Sequence, residues 1–168
     1  MHRLAAFLFV ALFSLAHAAE PKKIEAFQSA AAKANAVLTI PSWEQTPEEI
    51  ERTASEAIAK ANAALDQIGT QDLSKVTFKS TVVALDDLVW EATLAANRAV
   101  VIKESHQSPA MREAAEKAVK ALQDWSVGVE YREDVYRAIK ALEKTKPKVS
   151  GEDEKLFRET LRDYRRAG

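Results

Sequence analysis

Chain breakers are scarce in this sequence, and nearly all of them fall where a helical apolar rhythm starts or stops. Only four glycines and five prolines punctuate 168 residues. Proline costs a helix a hydrogen bond and a steric clash, and glycine costs it backbone entropy. A chain this poor in both, and rich in Ala, Glu, Lys and Leu, can hold long uninterrupted helices. The predicted class is all-α, an antiparallel helical bundle of about four to five helices.

The strongest start signal is Thr46-Pro47-Glu48-Glu49. It sets an N-cap threonine, a proline at the first helical position and a capping-box glutamate in register. A helix is predicted from Pro47 to about Ile68, with Ile50, Ala54, Ala57, Ala61, Ala64 and Ile68 on one stripe, Ile58 and Leu65 widening it, and Gly69 ending it. After a loop over 70–79, a helix from about Ser80 to Ser105 carries Leu85, Leu88, Val89, Ala92, Ala96, Ala99 and Ile102. Its apolar residues exceed one stripe, so it is expected to touch neighbours on two sides as the central helix.

Ser108-Pro109 repeats the cap-and-proline signal ahead of Met111, Ala115, Ala118, Leu122, Trp125 and Val129. Gly128 weakens that helix, and Val135, Tyr136, Ile139 and Leu142 resume the pattern. Either a bend near 126–128 or a continuous helix to about Lys144 is expected. Pro147 breaks the chain, and Ser150 is expected to cap a last helix bearing Phe157, Leu161 and Tyr164, with Glu152 and Asp153 in its first turn and Gly168 at the C-cap place. Upstream, Phe27, Ala31, Ala34 and Leu38 mark a short alanine-rich helix from Ile24 to about Leu38, followed by an extended connection through Pro41.

The first 18 residues read differently. His2 and Arg3 precede an apolar run from Leu4 to Leu15, and Ala16-His17-Ala18 is a small-x-small cleavage site. This is the pattern of a secretory signal peptide cut between Ala18 and Ala19, and the run is too short to span a bilayer; the other reading is an uncleaved N-terminal anchor. The expected organisation is a signal peptide over 1–18, a partly helical segment over 19–45 and a helical domain over 46–168. The expected location is periplasmic or secreted, with no membrane association after cleavage. Export permits disulfides, yet the chain has no cysteine, so packing alone must stabilise it. Thiol chemistry, thiolate zinc sites and a lipoprotein anchor are excluded on the same ground. Net charge is −1, or −2 without Arg3, which is no footprint for nucleic acid or anionic lipid.

Few residues suggest chemistry. Past the signal peptide the single histidine is His106, and no His-Glu-x-x-His motif occurs. His106 reads as a solvated helix terminus, with a lone interface ligand as the other reading. Haem ligation by His106 and Met111 would need residues on facing helices, and these two stand five apart across a Ser-Pro break. The pairs Glu48-Glu49, Asp86-Asp87 and Glu152-Asp153 diverge on helices and read as caps and solvated faces. Tyr131, Arg132, Tyr136, Arg137, Tyr164, Arg165 and Arg166 form a Tyr/Arg-rich set of the kind interfaces favour; ordinary amphipathic edges are the other reading.

Three stretches, in order, carry a more specific signal. Trp43-Glu-Gln-Thr-Pro-Glu-Glu-Ile-Glu-Arg-Thr53, Val76-Thr-Phe-Lys-Ser-Thr-Val-Val-Ala-Leu-Asp86 and Glu130-Tyr-Arg-Glu-Asp-Val-Tyr136 resemble the N-terminal helical part of the thimet oligopeptidase family of zinc metallopeptidases, which includes neurolysin and oligopeptidase A. Leu156 to Gly168 is similar to the family segment leading towards the catalytic half, so the resemblance covers about 42–168. It implies an all-helical domain that walls a channel restricting substrates to short peptides. In the family the zinc-binding histidines and general-base glutamate lie far downstream, and no position here matches them, so the resemblance assigns this chain no catalytic or metal-binding residue and no cofactor of its own.

Two functions are therefore expected as alternatives. In one, the chain is the non-catalytic N-terminal piece of an exported zinc oligopeptidase, and its partners are short peptides or the missing catalytic half. In the other, it is a complete exported helical module that binds a peptide or protein partner without catalysis.

Overall fold

The computed structural model describes residues 23–36, 38 and 42–167. The signal-peptide reading over 1–18, the Ala18/Ala19 cut, Pro41 and the Gly168 cap lie outside the described residues. The described residues are helical with no strand: α1 (Ile24–Lys33), α2 (Pro47–Thr70), a π-helical turn (Lys79–Val83) running directly into α3 (Ala84–Ser105), α4 (Pro109–Val129), α5 (Glu133–Thr145) and α6 (Glu152–Ala167). The chain divides into two compact units, Met1–Ser42 and Trp43–Gly168.

In the first unit α1 stops at Lys33, short of the predicted Leu38. Asn35 adopts a left-handed conformation (φ 53°), which a short amide side chain tolerates and which ends a helix. No α1 residue is buried, and Phe27 is half exposed.

The second unit holds α2 to α6. At the start of α2 the Thr46 Oγ1 accepts the Glu49 N–H at 3.2 Å, and Glu49 Oε2 accepts the Gln45 N–H at 2.7 Å. The capping box thus reaches one residue further back than the usual pattern. The helix does not stop at Gly69; it runs to Thr70. Gly69 is needed for a different reason, because a Cβ there would overlap the Asp134 carboxylate of α5. The π turn is opened by a reciprocal pair in which Ser80 N–H donates to Thr77 Oγ1 and Thr77 N–H donates to Ser80 Oγ, each at 3.0 Å.

Between α4 and α5 the chain breaks at 130–132, not at 126–128, and Gly128 stays inside the last turn of α4. The Tyr131 and Arg132 amides turn back to the Gly128 and Val129 carbonyls at 3.2 Å. α5 ends where Lys146 turns left-handed (φ 49°), just before Pro147. The residue preceding α6 is Gly151 (φ +62°), whose carbonyl accepts the Lys155 N–H. Ser150 therefore does not occupy the capping position that the sequence suggests.

Two apolar clusters hold this unit. One joins Ala61, Leu65 and Ile68 of α2 to Leu85, Ile139, Leu142 and Leu161, and the other joins Ile50 and Ala54 to Ile102, Met111, Ala115 and Leu122. Leu65, Ile139 and Leu142 are at most 1% exposed; truncating any of them to alanine would cost about 2–5 kcal/mol. α2 packs on α3, α4 and α5 and feeds both clusters. The central position expected of α3 is therefore shared with α2. Along α3 one side is buried, while Val89, Trp90, Leu94, Val100 and Val101 remain exposed.

Candidate interaction surface

The Tyr/Arg set is distributed over the α4–α5 corner, α5 and α6. Arg132, just before α5, donates from Nε and Nη2 to the two Asp134 oxygens at 2.8 and 2.6 Å and from Nη2 to Asp66 of α2 at 2.8 Å. The fork to Asp134 raises the arginine pKa and, chiefly through that same hydrogen bonding, holds the Asp134 carboxyl down to about 2. Arg165 of α6 donates to Glu143 of α5 at 2.6 Å. Both arginines are engaged in joining elements of this unit.

Tyr136 and Tyr164 stack with centroids 6.3 Å apart and planes 11° from parallel. Tyr164 is only 4% exposed, its hydroxyl is buried without a hydrogen-bond partner, and burial pushes its pKa up. Tyr131 and Arg137 are exposed. Tyr136 and Tyr164 are brought together by packing, Arg132 and Arg165 are placed against carboxylates, and Tyr131 faces solvent at the α4–α5 corner.

His106 is the one histidine among the described residues. It is exposed at the C-terminus of α3, and its Nδ1 accepts the Ser108 N–H at 3.1 Å. Met111 is buried in the second cluster, so the two do not face each other. Among the described residues no three His, Cys, Asp or Glu side chains gather as a metal site.

A groove of about 440 Å³ opens between α3, α4 and α6. It exists because α6 packs mainly on α5 and the π turn, without closing against α3 and α4. Leu85, Ala92, Leu122 and Val129 form its buried base, and Val89, Trp125 and Leu156 its more exposed walls. The Trp125 indole is held by donating to Asn62 Oδ1 at 2.9 Å. Tyr164 also lines the groove, and so do three carboxylates, Asp86, Glu130 and Asp163; none of its lining residues is a lysine or arginine. Asp163 is paired with Arg162 at 2.8 Å.

Local pattern does not point to this groove, since Asp86 beside Asp87 reads as a solvated pair and Glu130 reads only as the start of the 130–136 stretch. The usable signal was Val89-Trp90, two large apolar residues side by side on a helix, which cannot both face one core. No protein-family model matches the chain.

Proposed function

We propose that this chain is the N-terminal, non-catalytic helical part of an exported zinc metallo-oligopeptidase, in which it walls the channel that admits short peptides. The observation that carries the reading is the order and spacing of the three family-like stretches at 43–53, 76–86 and 130–136. Two features of the fold agree with it. All three stretches fall at structurally demanding places: the α2 cap, the π turn into α3, and the α4–α5 corner with its Arg132–Asp134 fork. The exposed apolar residues of α3, with Trp90 62% exposed, also make a surface suited to cover by further protein. On this reading zinc and every catalytic group belong to residues beyond these 168.

The test is the intact mass of the protein exported by its source cells, paired with a peptidase assay before and after chelation. The expected outcome is a species several times heavier than 18.6 kDa whose peptidase activity is lost with the metal. A species slightly lighter than 18.6 kDa with no chelator-sensitive activity would overturn the reading. That outcome would favour the second reading, an exported binding module, which has its own support in the two clusters of buried apolar residues found within 50–164.

A further inference from the structure

We infer that the groove between α3, α4 and α6 is a docking surface for a basic amphipathic helix of another polypeptide. This goes beyond the reading of the chain as a channel wall, and its test does not depend on any peptidase activity.

Shape comes first. On α3 the groove is lined from Leu85 to Ala96, a run of about 16 Å at the helical rise, or roughly three turns of a docked helix. The walls are helices throughout, and the base is apolar. Such a surface accepts a helix through apolar side chains at i, i+3, i+4 and i+7. On α3 the groove is lined by Leu85, Asp86, Val89, Ala92, Thr93 and Ala96, which share one side of that helix, while Trp90 and Leu94 lie outside the lining.

Charge selects the sign of the partner. Among the described residues Asp86 and Glu130 take part in no ion pair, whereas Asp163 already has Arg162. Asp86 leads from α3 and Glu130 from the end of α4, so the groove carries unneutralised negative charge on two of its walls. An occupant flanked by Lys or Arg would neutralise both, and one flanked by Glu would meet like charge beside an apolar, weakly screening base.

The experiment uses protein expressed from the whole sequence and a fluorescein-labelled 16-residue synthetic helix with leucines at i, i+3, i+4 and i+7 and lysines on both flanks. A second peptide has glutamate in place of each lysine. Fluorescence anisotropy is expected to show saturable binding of the lysine peptide and at least tenfold weaker binding of the glutamate peptide. The double variant Asp86→Asn/Glu130→Gln should weaken the lysine peptide about fivefold, with a smaller dependence on salt, while melting at the wild-type temperature. Val89→Arg, at a position already exposed, should abolish binding without unfolding the protein. Equal binding of the two peptides, no binding of either, or affinity indifferent to both sets of substitutions would overturn the assignment. So would concentration-dependent self-association removed by Val89→Arg, since the occupant would then be a second copy of this chain.

Discussion

Replacing a helical glycine by alanine ordinarily stabilises a protein by about 0.5–1 kcal/mol, because the unfolded chain loses freedom and the helix gains a better former. Gly69 should do the opposite. It lies inside α2, yet an alanine Cβ would stand 2.6 Å from Asp134 Cγ and 3.0 Å from Asp134 Cβ, besides overlapping a carboxylate oxygen. Rotating the Asp134 side chain could move the carboxylate, but it would leave its Cβ in place, so α5 would also have to shift. The rotation would break the two hydrogen bonds at 2.8 and 2.6 Å that join Asp134 to Arg132. Charge-assisted bonds contribute roughly 1.5–3 kcal/mol each, and solvent screening of this partly exposed fork lowers the two together to about 2–3 kcal/mol. Setting that loss against the helical gain leaves Gly69→Ala destabilising by about 1–2 kcal/mol, a fall in melting temperature of roughly 5 °C for a unit of this size. Urea denaturation followed by circular dichroism measures the first number, and a thermal melt the second. In an Asp134→Ala background the carboxylate is gone, and the same substitution should cost under about 0.5 kcal/mol, a coupling that a double-mutant cycle isolates. A Gly69→Ala protein more stable than wild type would refute the argument.

Three further outcomes follow from the same structure. Arg98 forks onto Glu44 at 3.0–3.2 Å and lies 5.1 Å over the Trp43 ring, and the Glu44 side chain is only 9% exposed; Arg98→Ala should therefore cost about 2–4 kcal/mol in a denaturant titration, and a loss under about 0.5 kcal/mol would rule out a buried pair. Tyr164→Phe removes a buried hydroxyl that has no partner, so stability should hold or rise by up to about 1 kcal/mol, and a clear loss would reveal a hydrogen bond to that oxygen. The folded pKa of Asp134, about 2, lies below its ordinary 3.8, so its contribution is complete above pH 4 and is lost as pH falls towards 2. After allowance for solvent screening that contribution is about 1 kcal/mol. Acid titrations of wild type and Asp134→Asn should converge by that amount over this window, and curves that stay parallel would exclude the linkage.

The helices were legible because their signals are local. Thr46-Pro47 and Ser108-Pro109 begin α2 and α4 as expected, since caps and proline act within one turn. The capping role of Ser108 was less legible: its side chain makes no capping bond, and its N–H goes to His106 instead. The reading of Gly69 as a helix stop failed because glycine has two uses, and only the position of Asp134, 65 residues later, decides between them. The break after α4 was displaced to 130–132 for a related reason. Arg132 leaves the helix where it can reach Asp66 and Asp134, a tertiary preference that outweighs the weak local cost of Gly128.

The sequence by itself determined the class, the starts of α2 and α4 and most buried stripes, because helical periodicity and capping depend on neighbours three or four residues away. Tertiary structure alone decided which side of α3 stays uncovered, that Tyr164 is enclosed while Tyr131 is not, and that α6 leans on α5 and leaves a groove bordered by Asp86 and Glu130. A stripe says that a face prefers burial. Whether another helix is there to bury it depends on how the whole bundle fills space, and no segment carries that information alone.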